Sequence, residues 1–159
     1  MQKIMTHLWF DDQAEEAARF YTSIFADSRI VDVTDYGRKA PGTDVTVLTV
    51  TFELAGQRYI ALNAGPAFTF TEAVSLYVDC ADQEEVDYYW ARLLEGGGEE
   101  VQCGWLKDRY GLSWQVVPRT FTELMADPDP ERAGRAFEAM MGMVKPDVAK
   151  LVAAADGAS

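Results

Sequence analysis

Gln115, in the stretch GWLKDRYGLSWQVVP at residues 104–118, carries a polar side chain that either orients a ligand or simply bridges strands. A polar turn over residues 107–111 feeds a strand over 113–117, in which Trp114 and Val116 alternate with Ser113, Gln115 and Val117. Pro118 ends that strand, having no N–H to give a ladder. One face must be buried against apolar residues, and the other presents a carboxamide, which needs a partner wherever water is excluded. The single histidine, His7, lies in a second apolar stretch. A lone imidazole on a strand is either a hydrogen-bonded core residue or a ligand. Trp9, Tyr77, Trp105 and Trp114 also admit two readings, since small organic molecules are held by aromatic walls carrying few polar groups, yet aromatics equally fill cores. The two cysteines, Cys80 and Cys103, belong to no CxxC or CxxH pattern. Cys103 has no base or cationic helix end near it in sequence and is read as a buried or semi-buried thiol.

These residues need strands and helices to hold them. Residues 3–10 suit a strand, with Ile4, Thr6, Leu8 and Phe10 on one face and Met5, His7 and Trp9 on the other. Asp12, with Glu15 three positions on, is a capping box for a helix over 12–25 whose apolar stripe is Ala14, Ala17, Ala18, Tyr21, Ile24 and Phe25. Strands follow over 29–36, 45–54 and 57–63, the last two joined by Ala55-Gly56. After the punctuated link AGPAFT the order begins again, with a strand over 73–80 that puts Ser75, Tyr77 and Asp79 opposite Val74, Leu76, Val78 and Cys80. Asp82 caps a helix carrying Val86, Tyr89, Trp90, Leu93 and Leu94, and three glycines at 96–98 stop it. A short strand near 99–103 and the strand through Gln115 complete the second series. Asp12-Gln13-Ala14-Glu15 and Asp82-Gln83-Glu84-Glu85 repeat D-Q-x-E 70 residues apart, each after a strand and opening a helix, which is the mark of an internal duplication.

Beyond Pro118 the chain turns helical. Thr120 with Glu123 is a further capping box, and Asp129 before Pro130 opens another helix with the stripe Phe137, Met140, Met141 and Val144. Val148, Leu151 and Val152 make a second, short stripe after Pro146. Such a tail is expected to cover a partner subunit or an open sheet edge.

A chain of 159 residues with 48% apolar and 25% charged residues is the size of one domain and should bury roughly 70% of its unfolded surface. Its net charge of -12 repels phosphate backbones and anionic lipid, so neither nucleic acid nor membrane is an expected partner. The N-terminal MQKIMTHLWFDD reaches two aspartates before a signal core could form, and no apolar run approaches the roughly 18 residues of a membrane helix. With no cysteine framework, a cytoplasmic location is expected.

The pieces HLWFDDQAEEAARFYTSIF, ALNAGPAFTFTEAVSLYVDC and CGWLKDRYGLSWQVVP resemble the PhnB-like branch of the vicinal oxygen chelate superfamily, which also holds glyoxalase I, bleomycin-resistance proteins and extradiol dioxygenases. Members often carry the label 3-demethylubiquinone-9 3-methyltransferase, although nothing in these residues looks like a methyl-donor site. The resemblance implies an α+β fold of paired βαβββ modules, each sheet curved round a cavity, over residues 1–125, with module one at 1–63, module two at 72–118 and a helical tail at 126–159. In catalytic relatives a divalent metal is held from four strand positions. Carried over, these fall at His7 (or Thr6, if aligned through Phe20-Tyr21), Asn63, Ser75 and Gln115, and strand parity is expected to turn all four inward. Only His7 and Gln115 are plausible ligands, and with a hydroxyl and a carboxamide as neutral, weak donors the site is expected to lack the anionic charge that holds a divalent metal in a catalytic relative.

The expected function is therefore binding of a small molecule by a homodimer, without an obligatory metal or other cofactor, in a pocket of His7, Trp9, Asn63, Ser75, Tyr77, Trp105 and Gln115. Sequestration, as in the bleomycin-resistance relatives, would be one form of it. Two alternatives remain: a metal-dependent lyase, isomerase or oxygenase with the ion on His7 and Gln115, and a structural or regulatory dimeric module working through the tail. One scaffold hosts many chemistries.

Overall fold

The computed structural model describes residues 2–158, and the chain divides into two compact units, Met1–Phe70 and Thr71–Ser159. In the first, β1 (Thr6–Phe10), α1 (Ala14–Ile24), β2 (Arg29–Lys39), β3 (Thr46–Leu54) and β4 (Gln57–Asn63) form one module with sheet order β1-β4-β3-β2. β1 runs parallel to β4, and the remaining pairs are antiparallel. Period-two alternation sends Leu8, Phe10, Val50, Phe52, Tyr59 and Ala61 beneath α1, where all are buried. Three alanines, Ala14, Ala17 and Ala18, are also fully buried, so the helix lies close on its sheet. Tyr21 stacks on Phe52 and Phe52 on Tyr59, with ring centroids 6.2 and 5.5 Å apart. Burying aromatics of this size stabilises by about 1.5–3 kcal/mol each.

Boundaries here differ from the sequence expectation, and β2 runs through Gly37 to Lys39 rather than ending at residue 36. β1 begins at Thr6 rather than at residue 3, and the carboxamide of Gln2 instead accepts from the Arg58 N–H (2.9 Å) and donates to its carbonyl (3.3 Å), serving where a strand backbone would pair. α1 begins at Ala14, after Gln13 as N-cap, and neither Asp12 nor Glu15 caps it. The reason lies 49 residues downstream, where Asn63 Oδ1 accepts from the Ala14 N–H at 2.7 Å. A long-range side chain has taken the donor that a local cap would have used.

The second unit repeats the topology. β5 (Ser75–Cys80), α2 (Gln83–Leu94), β6 (Glu99–Glu100), β7 (Trp105–Lys107) and β8 (Ser113–Pro118) form a sheet of order β5-β8-β7-β6, with β5 parallel to β8. Val78, Cys80, Leu106, Trp114 and Val116 are buried on the α2 side, with Val86, Trp90 and Leu93 from the helix. Here the D-Q-x-E pattern does cap. Asp82 accepts from the Glu85 N–H (3.0 Å), and Glu85 reaches back to the Ala81 N–H (2.7 Å).

The tail, α3 (Arg119–Met125), α4 (Pro130–Met141) and α5 (Val148–Ala155), belongs to this second unit. Val117, on the β8 face turned away from α2, packs in one buried cluster with Leu124, Ala136, Met140, Leu151 and Ala155. The α4–α5 connection is laid against the turn before β7. Cys103 and Gly104 donate their N–H groups to the carbonyls of Met143 and Val144 (2.8 and 3.0 Å), and Gln83 donates to the Pro146 carbonyl and accepts from the Val148 N–H (3.1 and 2.8 Å). Gly104 has φ +82°, and a Cβ there would lie 2.9 Å from the Val116 carbonyl oxygen, so the glycine of CGW is a steric requirement. Asp129 and Asp147 cap α4 and α5. Thr120 does not cap α3, because β8 runs into the helix with no intervening loop and Pro118 holds the N-cap position. Met140 of the expected apolar stripe is buried, while Phe137, Met141 and Val144 are exposed. No described helix is long and apolar enough to cross a membrane.

Candidate functional site

The strand ladders of the second sheet bring four expected residues onto one face. Tyr77 lies opposite Gln115, and Gln115 opposite Trp105, so their side chains stand in one row on the side away from α2. Ser75 belongs to the adjacent row, and Gln115 Nε2 donates to its Oγ at 3.0 Å. Tyr77 is 53% exposed, whereas Ser75, Trp105 and Gln115 are half-buried. The tail closes the far end of this face. Tyr77 and Thr122 share a hydroxyl contact at 3.3 Å, Arg119 binds Asp79 at 2.7 Å, and Val117 is covered by the tail cluster.

In the first sheet His7 and Trp9 share the face away from α1, opposite Ile60 and Leu62 of β4. His7 is exposed, and so is not a buried core histidine. Trp9 donates its indole N–H to the Gly65 carbonyl (2.9 Å) and meets Phe68 edge-on at 4.9 Å. Asn63 corrects the parity expectation. It lies opposite Phe10 and Leu48, on the helix-covered side, only 8% exposed and engaged with Ala14. Its place in the chain suggested a ligand, but its register makes it a helix cap.

The donor set does not fit a divalent metal. The Asn63 carbonyl oxygen is already committed on the α1 side of its sheet, and Ser75 and Gln115 are neutral partners of each other. Among the described residues, no three His, Cys, Asp or Glu side chains group as metal ligands.

Sequence reading missed three contributors, and all three lie in or beside KDRYGLSW. Asp108 is buried, and its carboxylate accepts from the N–H groups of Tyr110 (2.9 Å) and Leu112 (3.1 Å) and from the Trp114 indole (2.9 Å), fixing the turn that delivers β8. An aspartate opening a glycine-containing turn was the available signal. Ser113 stands in one row with Ser75 and Lys107, is 1% exposed, and its Oγ has no hydrogen-bond partner. An unsatisfied buried hydroxyl costs about 1–3 kcal/mol. Lys107 Nζ is bound to Glu72 Oε1 and lies across the ladder from Glu99. The hydrogen bond from Lys107 holds the Glu72 carboxyl below the usual carboxylate range. The bond to Glu72, and then the charge of Glu99, raise the Lys107 ammonium.

A groove of about 780 Å³ lies elsewhere, along α2 and the α4–α5 connection, where Lys145 pairs with Asp87 at 2.7 Å.

The family described as 3-demethylubiquinone-9 3-methyltransferase matches residues 2–117. Among solved structures, a PhnB protein from Bacillus cereus carrying that same label is 38% identical, covering 74% of this chain and 99% of its own at a TM-score of 0.65. Protein PA1353 from Pseudomonas aeruginosa is 17% identical over 74% of this chain and 98% of its own, at a TM-score of 0.61. The fosfomycin resistance protein FosX from Mesorhizobium loti is 17% identical over 80% of this chain and 100% of its own, at a TM-score of 0.52. These last two show the shared fold alone. No curated protein sequence matches the chain. The duplicated βαβββ topology, the family match and the PhnB likeness together place this chain in the PhnB-like family of the vicinal oxygen chelate superfamily.

Proposed function

We propose that this protein binds a small organic molecule against the face of the second sheet carrying Tyr77, Trp105 and Gln115, acting as a cytoplasmic homodimer without an obligatory metal. The observation that carries this reading is the Gln115–Ser75 pair, a neutral hydrogen-bonding couple set between the aromatic side chains of Tyr77 and Trp105 on one sheet face. Aromatic surface supplies contact area, and the polar couple supplies orientation. The neutral donor set supports binding in preference to metal-assisted chemistry.

Native mass spectrometry of the protein as isolated, followed by a tryptophan-fluorescence screen of small aromatic compounds before and after chelator dialysis, tests the proposal. Binding should survive dialysis and weaken at least tenfold in Gln115→Ala. Binding that disappears with the chelator and returns with a divalent ion would replace this reading with the metal-dependent one. Absence of any bound mass and of any quenching would remove the ligand reading. Size-exclusion chromatography with light scattering tests the dimer, and a monomer at micromolar concentration would overturn that part.

A further inference from the structure

The open face of the second sheet holds a carboxylate already, and the chain itself provides it. Glu72, in the segment before β5, places its carboxylate on Lys107, and its side chain is 62% exposed against 31% for Lys107. Directly across the ladder from Lys107 stands Ser113, whose buried hydroxyl has no partner, and beyond it Ser75. One row along lie Trp105, Gln115 and Tyr77. The remaining carboxylate of β5 on this face, Asp79, is tied to Arg119. Hydroxyl, carboxamide and ammonium groups therefore gather beside two aromatic rings, and an exposed glutamate carboxylate is bound to the ammonium. In a chain of net charge -12 a bare ammonium attracts carboxylates, and Lys107 holds Glu72 in a direct ion pair with Glu99 across the ladder.

We infer that the ligand of this face is an aromatic carboxylate whose carboxylate group displaces Glu72 from Lys107 and accepts from the Ser113 hydroxyl, while its ring lies on Trp105 and Tyr77. The exchange is like for like. One carboxylate leaves Lys107 for solvent and another takes its place, so the ammonium keeps an ion-pair partner. Ser113 gains the acceptor it lacks, which Glu72 does not supply. This inference rests on the small-molecule reading above and names its ligand class.

The test is a titration of the intact protein, by tryptophan fluorescence and calorimetry, with benzoate, its neutral isostere benzamide, phenylphosphonate and inorganic phosphate. Benzoate should bind at least tenfold more tightly than benzamide. Glu72→Gln, at an exposed position that leaves the fold undisturbed, should tighten benzoate several-fold and leave benzamide unchanged. Lys107→Met should abolish the preference for the anion, and Ser113→Ala should weaken benzoate alone. Equal binding of benzoate and benzamide, unaffected by Glu72→Gln, would overturn this inference and leave the small-molecule reading standing. A preference for phenylphosphonate, or phosphate binding as tight as benzoate, would overturn the carboxylate assignment. Failure of every probe in every variant would overturn both readings.

Discussion

In the first module β3 turns into β4 over two residues, Ala55 and Gly56, both at positive φ (47° and 80°) as a tight two-residue hairpin requires. In the second, β7 reaches β8 through residues 108–112, wound round the buried carboxylate of Asp108. The helix starts divide the same way. α1 takes its cap from Asn63 at the end of β4, whereas α2 is capped by its own Asp82 and Glu85. Register explains the division. Asn63 lies opposite Phe10, and the corresponding position, opposite Cys80, is Pro118, which has no side-chain acceptor and leads straight into α3. Two copies of one topology thus solve identical problems with different residues. A shared sequence pattern such as D-Q-x-E marks a place in the fold, not a bond.

The most severe way to break this comparison is Asp108→Ala. It strips three hydrogen bonds from one buried carboxylate and leaves the Trp114 indole N–H without its acceptor, so a loss of about 4 kcal/mol is expected by denaturant titration. A loss under 1 kcal/mol would mean that the turn holds its shape by backbone alone. Next, Asn63→Ala should cost about 2 kcal/mol, because it orphans a buried helix N–H, and Asp82→Ala only about 1 kcal/mol at an exposed cap. The reverse order would show that the distant cap is incidental. Ala55→Gly should act in the opposite direction and stabilise by up to about 1 kcal/mol, since alanine at φ 47° is strained where glycine is not.

The smallest effect concerns Cys80, which occupies the place of Phe10 in the repeat. Burial first, then the charges of Glu85 and Asp79, push its thiol up to about 12. Its folding contribution is fully present below the ordinary thiol value of about 8.5 and is lost as pH climbs through that interval, because only the unfolded chain ionises there. Alkylation of the folded protein at pH 8 should therefore modify half-buried Cys103 and spare Cys80. Rapid labelling of both would show that the α2 side of the sheet opens easily.

What could be read from the chain was what its neighbours in sequence determine. The bounds of β4, the Asp82 cap, the Asp129 cap and the alternation placing Tyr77 with Gln115 all follow from residues within a few positions of one another. What escaped depended on partners far along the chain. Asn63 was read as a ligand because its pairing with Ala14, 49 residues away, leaves no local trace. Ser113 looked like one polar residue in an alternating strand, and only the ladder sets it between Ser75 and Lys107. The buried residues of the tail close over Val117 of its own module, a contact that no local pattern marks.

That closure bears on where the protein can be cut. The region of family likeness stops at residue 117, and Val117 is the strand residue on which the last three helices converge. A truncation drawn at that border would split a hydrophobic core in two, leaving greasy surface on the excised fragment. Expression trials of the trimmed domain should yield inclusion bodies for reasons unrelated to its ligand, and the appendage should be retained in any minimal functional unit.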